Sequence, residues 1–345
     1  MGQAPAAALP QNPVVPVQDQ FPLFDDALEA AIQPATPPAE VLALAQALNA
    51  RFGHRWHLGT SSWHFPGWAG QVWQRPWPSE RLSREGLPAY AQHPLLRCVS
   101  LDRAFYRPLE VDTYARLASQ VGPDFRFVVK AFAGVTDAMQ RDPASGAALQ
   151  PNPGFLDPEA ALMTSLLPAL QGLGDNLGVL VLQLSPLPAR WLRTPAELLH
   201  RLAALFDALR PRLQGAALLA LEVRDPALVN VDTARLLKQH GVRWCLGLHD
   251  RMPDVAAQLE MLRRTWPGDL VCRWNLQRGQ RYAQARDRWA PFDRMQAPDL
   301  ATRQALARAI AGTLGAGQRA FVTINNKAEG SAPASVVALA REMLA

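Results

Sequence analysis

The sequence predicts a (β/α)8 barrel, an α/β fold of the TIM-barrel type, built as a single domain behind a flexible N-terminal tail. Three observations carry this. Eight short apolar runs recur between residues 55 and 326, stretches of helical character separate them, and most runs end on a polar or charged residue. Parallel strands covered on both faces read as continuous apolar runs, and strand–helix alternation repeated eight times is the pattern of a closed barrel. Such barrels build their sites at the C-terminal ends of the strands, so the residues that close the runs form a candidate list before any motif is consulted.

Residues 1–36 are rich in Ala, Pro and Gln without a sustained period, and disorder is expected there. Within them, FPLFDDALEAAI (21–32) has the makings of a short amphipathic turn. The barrel domain is expected over 37–345, opening on a helix at 38–51 with Pro38 at its start. Run one is RWHLGTS (55–61). Its connection, SSWHFPGWAGQVWQRPWP, holds Trp63, Trp68, Trp73 and Trp77, and a helix follows near 83–92. Run two, RCVSLD (97–102), leads through RAFYRPLE to a helix near Val111. Run three, FRFVVK (125–130), is followed by an Ala/Gly/Pro-rich loop over 133–155; a loop this long is usually a lid or mobile. Asp157 and Pro158 then cap and open a helix. Runs four to eight are GVLVLQL (178–184), LLALEVR (218–224), VRWCLGLH (242–249), DLVCRWN (269–275) and AFVTINN (320–326). Helices are expected at 194–210, 232–240, 252–265 and 302–314, with a basic loop at 277–299 and a final helix opened by Ser331 and Pro333.

The 345 residues exceed the about 250 that a barrel takes, which leaves room for the tail. No run approaches the roughly 18 apolar residues of a membrane span. Residues 1–50 contain no Lys or Arg and five carboxylates, so the tail carries −5 and the rest of the chain +10. A start without a basic region has no mark of a secretory or transit peptide, and a cytoplasmic location is expected. The basic remainder suits phosphate or nucleic-acid ligands, or is an ordinary solvated Arg-rich surface. Cys98, Cys245 and Cys272 all fall inside runs, with no C-x-x-C spacing, which excludes a disulfide framework and a cysteine zinc site.

Lysine usage is the sharper signal. Of 35 basic residues only Lys130, Lys238 and Lys327 are lysines, and Lys130 and Lys327 stand at run ends. Lysine can lose its proton when buried, whereas arginine effectively cannot. Inside the runs, Gln183, Glu222, Arg224 and Arg273 are polar residues that need partners. Glu222 and Arg224 are two apart on a strand and so face the same side; they form either a structural ion pair or part of a site. Glu222 stands where a general base could act, with Asp102 as its partner and Lys130 as the third candidate for catalysis. Asp102, Glu222, His249 and Asp250 could hold a divalent metal if they converge, but no H-E-x-x-H spacing supports a metal, and no cofactor follows from the residues. Asn325, Asn326 and Lys327 precede Gly330 and Ser331 at a helix start, where many barrels bind phosphate; the same residues also serve as ordinary turn and cap residues. Trp63, in the aromatic connection, could stack a ring or simply pack the loop onto the barrel. With Tyr106 it completes the ligand-binding candidates.

The stretches GTSSWHFPGWAGQVW (59–73), DRAFYRPLEVDTYARLA (102–118), FRFVVKA (125–131), VLQLSP (181–186), LEVRDP (221–226) and INNKAEGSAP (324–333) together resemble the YecE-like family, the domain-of-unknown-function 72 proteins. The resemblance spans about residues 57–342 and implies a TIM-barrel-like fold without a settled activity. Two departures from the family pattern stand out. SLDRAFY replaces the common V-E-x-N-x-T-F-Y, and RWNLQRG replaces R-x-H-G, so a mechanism that needs that histidine is not implied here.

Three functions remain open on these residues. One is an enzyme acting on a phosphate-bearing ligand at the barrel's C-terminal mouth, a phosphoester hydrolase or nuclease-like protein. The second is a non-catalytic nucleotide or nucleic-acid binding module. The third is a lysine-dependent lyase working through Lys130.

Overall fold

The structure is a computed structural model that describes residues 31–345 except 143, 214 and 216. Eight parallel strands close into a barrel. They are β1 (Trp56–Thr60), β2 (Cys98–Leu101), β3 (Arg126–Lys130), β6 (Leu177–Gln183), β7 (Leu218–Glu222), β8 (Arg243–Leu248), β9 (Leu270–Trp274) and β10 (Ala320–Ile324). Each pairs with the next in chain order, and β10 returns to β1 with Trp56 opposite Ala320 and Thr60 opposite Ile324. All eight predicted runs are barrel strands. Of the tail expected over 1–36, residues 1–30 lie outside the described residues, as does most of the segment 21–32. Residues 33–35 pair with the first connection: Ala35 N–H donates to Val72 O at 2.9 Å, and Gln74 N–H to Gln33 O at 3.0 Å.

Helices cover the outside. Pro195–Leu209 buries Leu198, Leu202, Leu205, Phe206 and Leu209, spaced as one face of a helix, with Pro195 in the first turn where its missing N–H costs nothing. Asp157 accepts from Ala160 N–H as predicted, and Asn230 and Asp254 cap their helices the same way. No helix among the described residues is long and apolar enough to cross a membrane.

Two predicted loops are not loops. The segment after β3 forms a short helix, Ala133–Thr136, and an antiparallel hairpin of β4 (Met139–Arg141) and β5 (Ala148–Pro151). The Asp142 carboxylate accepts the backbone N–H groups of Ala144 and Ser145, and Gly146 supplies the positive φ of the turn. The basic segment 277–299 contains the helix Tyr282–Trp289. Ala285 and Trp289 pack there with Leu276 and Phe292, and the surrounding arginines mask that apolar spacing in the sequence.

Candidate functional site

Alternation along the strands assembles the site. Val128, Val179, Val181, Leu218, Ala220, Cys245, Val271 and Phe321 form their own buried cluster, separate from the core beneath the helices. These are alternate positions on neighbouring strands, so they fill the barrel interior. One step of two further along most of these strands the interior turns polar: Val128 gives way to Lys130, Val181 to Gln183, Ala220 to Glu222, Val271 to Arg273 and then Asn275. On β2 the same step takes Cys98 to Ser100 and Asp102, and on β10 Thr323 to Asn325. The barrel is therefore apolar below and ionic at its C-terminal mouth.

Arg273 is the hub of the ionic layer. Its side chain is 1% exposed. Nη1 donates to Glu222 Oε2 at 2.6 Å and to Gln183 Oε1 at 3.1 Å, while Nη2 donates to Asp102 Oδ1 at 2.7 Å. Arg224 Nη2 pairs with Glu222 Oε1 at 2.7 Å and reaches Gln183 Oε1 at 3.0 Å. Asn275 Nδ2 donates to Glu222 Oε1 at 3.3 Å, and Ser100 Oγ donates to Asp102 Oδ1 at 2.7 Å. Glu222 lies on β7 and Arg273 on β9, and the strand between them carries Gly247 opposite Arg273. A Cβ at Gly247 would stand 3.1 Å from Glu222 Cγ, so the absent side chain leaves the room in which the two meet.

Charge on these groups follows from their neighbours. Burial opposes ionisation of Glu222, but Arg224 and Arg273 outweigh it and hold the carboxyl below its ordinary value. Burial likewise opposes ionisation of Asp102, and Arg273 and Lys130 more than offset it. Arg273 holds its proton more tightly than an ordinary arginine: burial works against it, and Asp102 and Glu222 prevail. Both carboxylates are thus strongly held anions with weak basicity.

Above this layer opens a cavity of about 630 Å3, lined by residues that include Tyr106, Lys130, Arg224, His249, Arg273 and Tyr282. Neither Lys130 nor Lys327 forms an ion pair among the described residues. Lys130 is 6% exposed, with Nζ 3.7 Å from the centre of the Phe105 ring. Lys327 is 5% exposed; its Nζ donates to Asn325 Oδ1 at 3.3 Å and lies 4.2 Å from the centre of the Tyr282 ring. Burial lowers the Lys130 amine to about 8 against the opposing pull of Asp102. The Lys327 amine also falls to about 8, through burial and then Arg286. Four cations of this layer (Lys130, Arg224, Arg273, Lys327) face two carboxylates, Asp102 and Glu222. At the rim Tyr106 is 78% exposed and Tyr282 54%, and from the hairpin Arg141 also reaches the cavity.

The sequence candidates divide accordingly. Asp102, Tyr106, Lys130, Gln183, Arg224, Arg273 and Asn325 line the cavity, Glu222 lies fully buried below it, and Lys327 abuts its Tyr282 wall. Asn326 and Trp63 are corrections. Asn326 is 1% exposed, and its Oδ1 accepts from Trp68 Nε1 at 3.0 Å and Ala332 N–H at 2.8 Å. It caps the last helix, and Ser331 beside it is fully buried, so the helix start expected to receive a phosphate is already closed. Trp63 packs with Nε1 on Leu82 O at 3.1 Å and borders a side pocket of about 110 Å3 next to Asp102, not the main cavity. The other three tryptophans of its loop are buried as well. The metal candidates do not fit together: Arg273 bonds both Asp102 and Glu222. Among the described residues no three His, Cys, Asp or Glu side chains are placed to hold an ion. Phe105 and Tyr282 escaped the sequence reading; Tyr282 was hidden in the unrecognised helix, and Phe105 had no signal beyond its place one residue before Tyr106.

A family model described as "Protein of unknown function DUF72" matches residues 57–345. A crystal structure of a DUF72 family protein from Enterococcus faecalis V583 aligns with a TM-score of 0.54 at 16% identity, covering 84% of this chain and 95% of that one. A DUF72 family protein from Thermotoga maritima MSB8 aligns with a TM-score of 0.51 at 16% identity, covering 84% and 98%. At such identity these likenesses speak for the fold alone. A search of curated proteins finds no match.

Proposed function

The chain belongs to the DUF72 family of proteins of unknown function, and from that premise we propose that its barrel mouth binds a small molecule bearing a phosphate group. The observation that carries this is a buried lysine, Lys130, that lines the cavity without a carboxylate partner, with a second, Lys327, against the cavity's Tyr282 wall. Burying an ammonium is costly unless a counter-charge accompanies it. An anionic ligand between Lys130, Lys327 and Arg224 supplies that counter-charge. The exposed faces of Tyr106 and Tyr282 are suited to cover the ligand's remaining, less polar part.

Binding is favoured over phosphate-ester hydrolysis because the two carboxylates at the barrel's centre, Asp102 and Glu222, are engaged by Arg273 and are poor bases. Glu222 then acts as a positioning residue that aims two arginines. A hydrolytic reading would have to use His249 at the rim, beside Asp250: burial and then Arg224 lower its pKa, which leaves the imidazole able to accept a proton. A concave site of this size also suits one phosphate-bearing molecule better than a tract of nucleic acid.

The test is thermal unfolding in the presence of inorganic phosphate, sugar phosphates, nucleotides and a short oligonucleotide, at low and moderate salt. A stabilising phosphate ligand is expected, with the effect lost in Lys327→Ala and Arg224→Gln and weakening as pH rises above about 8, where the lysines lose charge. Stabilisation by the oligonucleotide alone, falling steeply with salt, would favour the nucleic-acid reading instead. No shift with any phosphate compound would remove the proposal.

A further inference from the structure

We propose that Lys130 is a carbonyl-capturing amine, whose Nζ condenses with an aldehyde or ketone that also bears an anionic group. This rests on the anion-binding reading above, and adds a reaction to it.

The first ground is chemical economy in residue choice. The chain uses arginine for 32 of its 35 basic residues, yet one of its three lysines, Lys130, lines the mouth and a second, Lys327, lies against the Tyr282 wall. Anion binding alone is served as well or better by arginine; what arginine cannot offer is a neutral amine. The second ground is geometry. Lys130 closes β3 with Nζ over the Phe105 ring, lines the cavity, and has no ion-pair partner among the described residues. The charged groups acting on it are Asp102 from the end of β2, Glu222 and Arg224 from β7 and its exit, and Arg273 on β9. With burial they hold the amine near 8, so a usable share is unprotonated at neutral pH. Lys327 is the less suited of the two, because its Nζ donates to Asn325 and remains the cation that receives the ligand's anion.

The step balances without a cofactor. The Nζ lone pair attacks the carbonyl carbon, a proton moves from nitrogen to oxygen, and a carbinolamine forms. Protonation of its hydroxyl and loss of water leave a protonated imine. In sum an ammonium and a carbonyl become an iminium and a water, with charge conserved. The iminium keeps the positive charge that Phe105 and Asp102 attract, so the layer below it needs no rearrangement.

Reductive trapping tests the proposal. The full-length chain is treated with pyridoxal 5′-phosphate, an aldehyde bearing a phosphate, and then borohydride, and the adduct is mapped by peptide mass spectrometry. Lys238, exposed on its helix, is the internal control. One saturable adduct on Lys130 is expected, forming at least about tenfold faster than on Lys238, as an activated amine should. Its rate should rise with pH toward about 8, and inorganic phosphate should slow it. Lys130→Arg, with its fold checked by circular dichroism, should lose the adduct. Labelling of Lys327 first, labelling of Lys238 at an equal rate, or no adduct would overturn the proposal. Phosphate stabilisation without trapping would leave the anion site standing and remove only the amine chemistry; loss of both would remove both.

Discussion

Glu222 illustrates how a residue's role is decided by its partners rather than by its type. A carboxylate at a barrel strand end suggests a general base. Here Arg273, Arg224 and Asn275 take up its two oxygens, and the side chain is fully buried. Removing one member of a buried ionic network leaves its partners uncompensated, which costs about 3–5 kcal/mol. Glu222→Gln is therefore expected to destabilise the fold by an amount of that order, measured by denaturant unfolding. A loss below about 1 kcal/mol, the scale of an exposed pair, would show that the network does not hold the mouth together. Lys130 makes the contrasting case: its charge is left for a ligand to balance.

At the scale of elements, the site depends on what neighbouring strands leave out. Gly247 on β8 lets Arg273 of β9 reach Glu222 of β7 across it. A methyl group there meets Glu222 Cγ at 3.1 Å, and Glu222 is pinned from three sides. Gly247→Ala is expected to cost about 1–3 kcal/mol, the range for overpacking a fixed interior, and to weaken phosphate stabilisation as Arg224 shifts with Glu222. Unchanged stability and unchanged ligand response would contradict that picture. The eight strands were legible because burial on both faces writes continuous apolar runs, and the polar residue two steps beyond marks the mouth on most of them. The helix Tyr282–Trp289 was not legible, since Arg286, Asp287 and Arg288 lie among its eight residues and its apolar contacts are few. The β4–β5 hairpin was missed for a related reason: its strands are largely exposed and carry no apolar alternation.

Across the whole molecule, the sequence pattern located the barrel and most of the cavity wall, but not which polar groups were already spoken for. Asp102, Glu222 and Arg273 looked like free chemistry in one dimension and are a closed network in three. Asn326 looked like a phosphate ligand and is a helix cap. Of the four cationic site candidates, Lys130, Arg224, Arg273 and Lys327, only the two lysines remained without a carboxylate partner among the described residues. The division of labour is thus vertical: an apolar interior, a self-satisfied ionic layer, and above it a cavity with excess positive charge.

The central claim is that this excess charge is a binding site for phosphate. Isothermal titration of inorganic phosphate into the wild-type chain and the Lys130→Met/Lys327→Met double variant at low salt measures it directly. The expected result is saturable binding at one site per chain in the wild type and none in the variant, with both proteins folded. Equal heats in the two proteins, or no binding to the wild type, would contradict it.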